Sequence, residues 1–235
     1  SVVSEVFMPL KDKNKSDKKR MDILSAIDVH VDRADAKASY EKYIISSTVI
    51  NHQGDTISQA CDNCSAFDID VLSQYRNRNL SIKDRKYPLF NAKKGDNEYV
   101  IVPMVGSGLW GPVWGFVSFE SDLQTIYGAA FDHKTETPGL GAEINTDPFE
   151  KPFSGKRILN NNGEFVSIQV QKGGALEDDP HAVDGITGGT ITSDGVADML
   201  ENTLSIYNKY FVSLKINETD STLLETYNTL QNNKD

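Results

Sequence analysis

No apolar run in this 235-residue chain reaches the ~18–20 residues that a membrane span needs. The start also lacks the charged, apolar and small-residue order of a secretory signal. Cysteine is scarce: Cys61 and Cys64, in "ACDNCS", are the only two. One C-x-x-C pair falls short of the four ligands of a structural zinc site. No βαβ context surrounds it, so thioredoxin-like chemistry is not indicated. The two read as a surface pair, able to form a local disulfide in an oxidising compartment. Positive charge is outnumbered: 24 Lys and Arg against 34 Asp and Glu give a net charge of −10. That balance removes nucleic acid as a general partner, because phosphate binding needs a basic face.

What is present fits a soluble globular chain. Charged residues are 25% and hydrophobic residues 38%, and the length suits one large domain or two small ones. The basic residues Lys11, Lys13, Lys15, Lys18, Lys19 and Arg20 gather near the start. They read as a solvated, partly helical arm over 10–27, or as a segment close to a membrane surface. "KASYEKYIISSTVIN" passes from helix-like to β-branched, and 51–85 reads as a loop-rich insertion. Strands are expected at 98–105, 113–120, 123–131 and 164–173. Short turns between the first three imply antiparallel pairing. Val196, Met199, Leu200, Thr203, Leu204, Tyr207 and Phe211 recur at helical spacing, with Ser193 or Asp194 as the expected N-cap. A short further helix is expected in the tail, on Leu223, Leu224, Tyr227 and Leu230. The fold class is α+β, with a mostly antiparallel twisted sheet and flanking helices.

Three loops could carry chemistry. "GSGLWG" (106–111) matches the letters of a dinucleotide fingerprint, but Pro112 and a strand follow where a helix is required. It reads as a glycine-rich hairpin whose Trp110 is either a core side chain or the floor for a flat ring. "DGITGGTITSDG" (184–195) holds four glycines and four hydroxyls ahead of a helix. By itself it is first a glycine-rich helix cap. It is second a phosphate cradle, with bare amides and a helix dipole facing an anion. "HKTETPGLGAEI" (133–144) sets His133 and Glu136 beside Pro138 and two glycines, a bare-backbone wall suited to a heteroaromatic ring. His133 reads as a surface histidine ahead of any proton-transfer role.

Together these stretches carry a resemblance. "HKTETPGLG" looks like the His-x-x-Glu-Thr-Pro-Gly-Leu-Gly signature of the FMN-binding family. "DGITGGTITS" looks like its flavinylation motif, with Gly189 where the family usually has Ala. "GSGLWGP" and "MPLKDKNKSDKKRMDIL" are similar to elements of one branch of that family, the C-type subunits of sodium-translocating NADH:quinone reductases. The resemblance spans residues 8 to about 200. It implies FMN joined by a phosphodiester to Thr190. Asp184, Gly185, Thr187 and Gly188 would be read by a flavin transferase that uses FAD and a divalent metal. Gly189, Thr192 and Ser193 complete that loop. Thr137, Gly139, Leu140 and Gly141 would line the flavin, with Trp110 beside it. It further implies an electron-carrier subunit among the other subunits of a membrane reductase complex. One N-terminal membrane helix would precede Ser1 and leave the domain on the periplasmic side of the inner membrane. The implied organisation is a juxtamembrane arm (1–28), an FMN-binding domain (29–216) and a tail (217–235). The G-type subunit of the related electron-transport complex is the neighbouring alternative. A non-redox module holding a phosphorylated ligand at 184–195 is the alternative of another class.

Overall fold

The computed structural model describes residues 2–57 and 65–232, with side chains from 12 to 217 within those spans. Cys61 and Cys64 lie outside the described residues. Five strands form one antiparallel meander in chain order: β1 (Ile44–Ile50), β2 (Tyr87–Lys94), β3 (Asn97–Ser107), β4 (Pro112–Phe119) and β5 (Ile126–His133). The tightest turn joins β2 to β3, where Gly95 at φ +65° takes a position that strains a side chain. The third expected strand starts later than residue 123. The Asp122 carboxylate accepts the amides of Gln124 and Thr125, and this turn holds Leu123 at φ +57°. The strand expected at 164–173 shrinks to β6 (Gln169–Gln171), because Ser167 at φ +58° breaks the extended backbone. β6 pairs in parallel with β7 (Ala182–Asp184).

Both faces of the five-stranded sheet are covered. On one lies α5 (Thr190–Asn232), whose Val196, Met199, Leu200, Leu204, Tyr207 and Phe211 share a core with Val102, Met104, Val113, Val117 and Phe119. The buried Tyr207 hydroxyl donates to the Pro88 carbonyl at 2.7 Å, so its burial leaves no polar atom unpaired. On the other face α1 (Val2–Ser25) brings Ile23 and Leu24 onto Phe90, Ile101 and Phe116. Neighbouring residues of a strand point to opposite faces, so Ile101 and Val102 serve different cores. That is why β3 reads as a nearly continuous apolar run. The architecture is α+β with a mostly antiparallel sheet, as the sequence pattern predicts.

Two helical expectations change. α5 opens at Thr190, so Ser193 and Asp194 lie inside its first turns and do not cap it. The tail makes no separate helix, since α5 runs unbroken to Asn232. The basic arm is also less solvated than its composition implies. Lys15 pairs with Asp70 at 2.6 Å, just ahead of α3 (Val71–Arg76). Lys18 bridges Asp22 and Asp132 at 2.7 and 2.9 Å, which ties α1 to β5. The Lys19 ammonium donates to the Ile69 carbonyl at 2.9 Å, and burial lowers its pKa to about 8. α2 (Ala36–Tyr43) then leads directly into β1.

The outer edge of β5 carries a titratable lock. Glu150 ends α4 (Asp147–Glu150), and its Oε1 accepts the Phe131 amide at 2.6 Å. Burial pushes the Glu150 carboxyl up to about 7, against the Phe131 bond that favours its charged form. The folded state therefore holds a proton that the unfolded chain releases near pH 4.5. The resulting stabilisation is complete below that value and is lost as pH rises through about 7. Glu150→Gln should flatten the fall in melting temperature between pH 5 and pH 8. Matching wild-type and variant slopes in a thermal series would refute this.

Candidate functional site

Three segments distant in sequence meet at the end of β3 and β4 where residues 107–112 turn. The first is the hairpin tip itself. Gly108 donates to the Gly111 carbonyl at 2.7 Å, which closes the turn around Leu109 and Trp110. The Trp110 amide donates to Glu136 Oε1 at 2.8 Å, and its carbonyl accepts from the Thr135 hydroxyl at 3.0 Å. With its backbone held on both sides, the indole is turned outward and is 64% exposed. A core role for Trp110 is thereby excluded.

The second segment follows β5. Leu140 donates to the Thr137 carbonyl at 3.1 Å across Pro138 and Gly139, and Gly139 lies at φ +75°. Proline at the second position and a positive-φ glycine at the third make a type II turn. Thr137, Gly139 and Leu140 are exposed on it. Gly141 is buried behind the turn. A side chain there would collide with Thr192 Oγ1, so only glycine lets this loop close on α5. His133 is half-buried, and its Nδ1 accepts the Glu136 amide at 3.2 Å.

The third segment leads into α5. Gly189 donates to the Ile186 carbonyl at 2.9 Å across Thr187 and Gly188, with Gly188 at φ +76°. A side chain at Gly188 would come within 2.6 Å of Leu140 Cδ2, so the two turns face each other. Gly189 has no room for a methyl without moving Ile186, whose Cγ2 would be 2.9 Å away. Upstream, Asp184 Oδ1 accepts the Ala175 amide at 2.6 Å, and Gly185 donates to the Gln171 carbonyl at 2.8 Å. These bonds fasten the loop to the β6–β7 ladder.

The four hydroxyls of this loop differ in what they are free to do. Thr192 is 1% exposed and donates to Glu136 Oε2 at 2.7 Å. Ser193 is 3% exposed, and its oxygen accepts the Ile186 amide at 2.9 Å. Both are committed, and neither caps α5. Thr187 is exposed on the turn. Thr190 is half-exposed at the first helical position, and among the described residues its hydroxyl makes no hydrogen bond. The opening amides of any helix lack intrahelical acceptors, so a negative group on Thr190 would meet donors and a favourable dipole. The apolar Leu109, Trp110, Leu140 and Ile191 stand exposed on the three segments, between 41% and 64%. A free hydroxyl at a helix start, bare turns and exposed apolar side chains suit a phosphate-bearing planar ring. The part Glu136 plays was not legible in the sequence, because its two acceptor bonds reach segments 26 and 56 residues away.

The sequence profile of a family described as FMN-binding domain matches residues 108–205, from the hairpin tip into α5. The C-type subunit of the Na(+)-translocating NADH-quinone reductase of Haemophilus ducreyi is 32% identical over 200 residues, covering 81% of this chain and 77% of that protein. Its counterpart in Vibrio campbellii is 30% identical over 212 residues, covering 83% and 81%. The crystal structure of the C-type subunit from Parabacteroides distasonis superposes with a TM-score of 0.76 at 39% identity, covering 86% and 95%. That of Shewanella oneidensis NqrC gives 0.70 at 27% identity, covering 86% and 99%.

Proposed function

Because the chain belongs to the NqrC family, the C-type subunits of Na(+)-translocating NADH-quinone reductases, an oxidoreductase complex, we propose that it carries FMN covalently on Thr190 and passes electrons within that complex. The observation that carries this reading is the contrast among the motif's hydroxyls. Thr192 and Ser193 are buried and bonded, whereas Thr187 and Thr190 are accessible and unbonded among the described residues, and of those two only Thr190 stands at the start of α5. In attachment by a flavin transferase, the Thr190 oxygen forms a new P–O bond to the FMN phosphorus of FAD. The pyrophosphate P–O bond breaks, AMP leaves, and the hydroxyl proton passes to the transferase. Thr190 then holds a phosphodiester of single negative charge at the helix N-terminus, where the dipole stabilises it. Leu140 and Trp110 offer apolar surface that orients a ring and keeps water from one side of it. Once bound, the isoalloxazine supplies the electron carriage, and the protein supplies attachment, orientation and electrostatics.

The test is whether flavin stays with the chain after denaturation, once it has been co-expressed with a transferase. Flavin that is released on denaturation would favour non-covalent capture of a phosphorylated ligand. We also propose that the domain lies on the periplasmic face of the membrane, a reading supported by the likeness of residues 8–24 to the juxtamembrane segment of that family. No helix among the described residues is long and apolar enough to cross a membrane. External protease should digest residues 1–235 in spheroplasts, and full protection would reverse the placement.

A further inference from the structure

Glu136 is 5% exposed, and among the described residues its carboxylate has no ion-pair partner. An isolated buried charge is costly, so its place must be secured by hydrogen bonds. It has two from side chains or amides outside its own loop: Trp110 N–H to Oε1 at 2.8 Å, and Thr192 Oγ1–H to Oε2 at 2.7 Å. The backbone around it is cut back to receive it. A methyl on Gly108 would lie 2.5 Å from Oε1, and one on Gly141 would lie 2.6 Å from Oε2. A glycine on each side of one carboxylate is evidence that the three segments close around it.

We propose that Glu136 is the positioning residue of the attachment site. This rests on the reading of Thr190 as the attachment point. A carboxylate accepts from two donors at once, which a neutral amide does not do with both of its terminal atoms. Through Oε2 it accepts from the Thr192 hydroxyl and fixes the first turn of α5, while burial at 1% exposure keeps Thr192 itself out of reach. Through Oε1 it holds the hairpin tip so that the indole faces outward. One side chain thus sets the acceptor hydroxyl and the aromatic beside it in a common frame. Glu136 touches no reacting atom in this arrangement. It acts through Thr192 and Trp110.

The experiment uses the chain with purified transferase and FAD, at a temperature where circular dichroism shows each variant folded. It reads the rate of covalent flavin incorporation. In the flavin-free chain it also reads hydrogen exchange at the Trp110 amide. Glu136→Ala should slow incorporation roughly tenfold or more, as loss of orientation does. It should also speed Trp110 exchange while the β3 and β4 amides stay protected. Glu136→Gln should recover the Trp110 protection, because its one carbonyl oxygen can still accept. Incorporation should recover at least in part, because the Gln amide can donate to the Thr192 oxygen and keep the bridge in the reversed sense. If Glu136→Ala does not fold, Thr192→Val carries the test, with Trp110 protected and incorporation slowed. Wild-type rates in Glu136→Ala or Thr192→Val would overturn the proposal. If the wild-type chain never incorporates flavin, the functional reading above fails instead. Unchanged Trp110 exchange in Glu136→Ala would then overturn the positioning role independently.

Discussion

Thr190→Ala is expected to abolish covalent flavin completely while leaving the fold intact. The hydroxyl makes no hydrogen bond among the described residues, and the side chain is half-exposed, so its removal costs the core nothing. Alanine is also the better helix former at this first position, by a few tenths of a kcal/mol or more. The melting temperature should therefore move by less than about 2 °C. The chemistry is all-or-none, since without the oxygen there is no nucleophile for the FMN phosphorus. In wild type, a tryptic peptide spanning 173–209 should carry the added mass and the denatured chain should keep flavin fluorescence. Thr187→Ala should keep both, since Thr187 lies on the exposed turn ahead of the helix. Asp184→Ala should lower the yield without removing the acceptor, through loss of the 2.6 Å bond to Ala175 and of a motif side chain. Covalent flavin persisting on Thr190→Ala would show that another residue is the acceptor.

Gly195→Ala should be the most damaging single-methyl substitution near the site. Gly195 lies in the second turn of α5 with ordinary helical backbone, where alanine is favoured by about 1 kcal/mol on propensity alone. Its Cα, however, faces the end of β3. A Cβ there would overlap the Ser107 carbonyl oxygen outright and lie 3.0 Å from its carbon. Both are backbone atoms of a paired strand, opposite Pro112 in the register, and cannot rotate aside. The contact is reciprocal, since a side chain on Gly106 would meet Met199 Cβ at 2.7 Å. The helix must lift from the sheet, and such overpacking costs about 3 kcal/mol, well above the propensity gain. We expect a fall of roughly 5–10 °C in melting temperature. Flavin incorporation should drop with it, because the same lift separates Thr192 from Glu136. An unchanged melting temperature would mean that α5 and β3 have slack at this contact.

Gly195 also shows how one motif can combine different causes. Four glycines stand between 184 and 195, and all four read equally well as backbone bared for a ligand. The structure separates them. Gly188 supplies a positive φ, Gly189 is held beside Ile186, Gly185 lies against the Gln171 carbonyl, and Gly195 lets a helix touch a strand. The hydroxyls divide in the same way. Ser193 fits an N-cap by position, yet its oxygen accepts an amide seven residues upstream, inside the turn that precedes the helix.

Elements whose signals are local can be read from the chain alone. Period-3.6 spacing from Val196 to Phe211 marks the buried face of α5, and the apolar runs at 98–105 and 113–120 mark β3 and β4. The turn chemistry of Thr-Pro-Gly-Leu-Gly is legible for the same reason, since each depends on residues within one or two turns of one another. Where α5 begins, which way Trp110 faces, and which two of the four hydroxyls are buried and bonded came from the tertiary structure. Those outcomes depend on partners such as Glu136 and Thr192, 56 residues apart, whose meeting is imposed by β3, β4 and β5 lying side by side. A local pattern fixes a segment's own backbone, but the fate of a buried polar group is set by whatever the fold brings within hydrogen-bond reach of it.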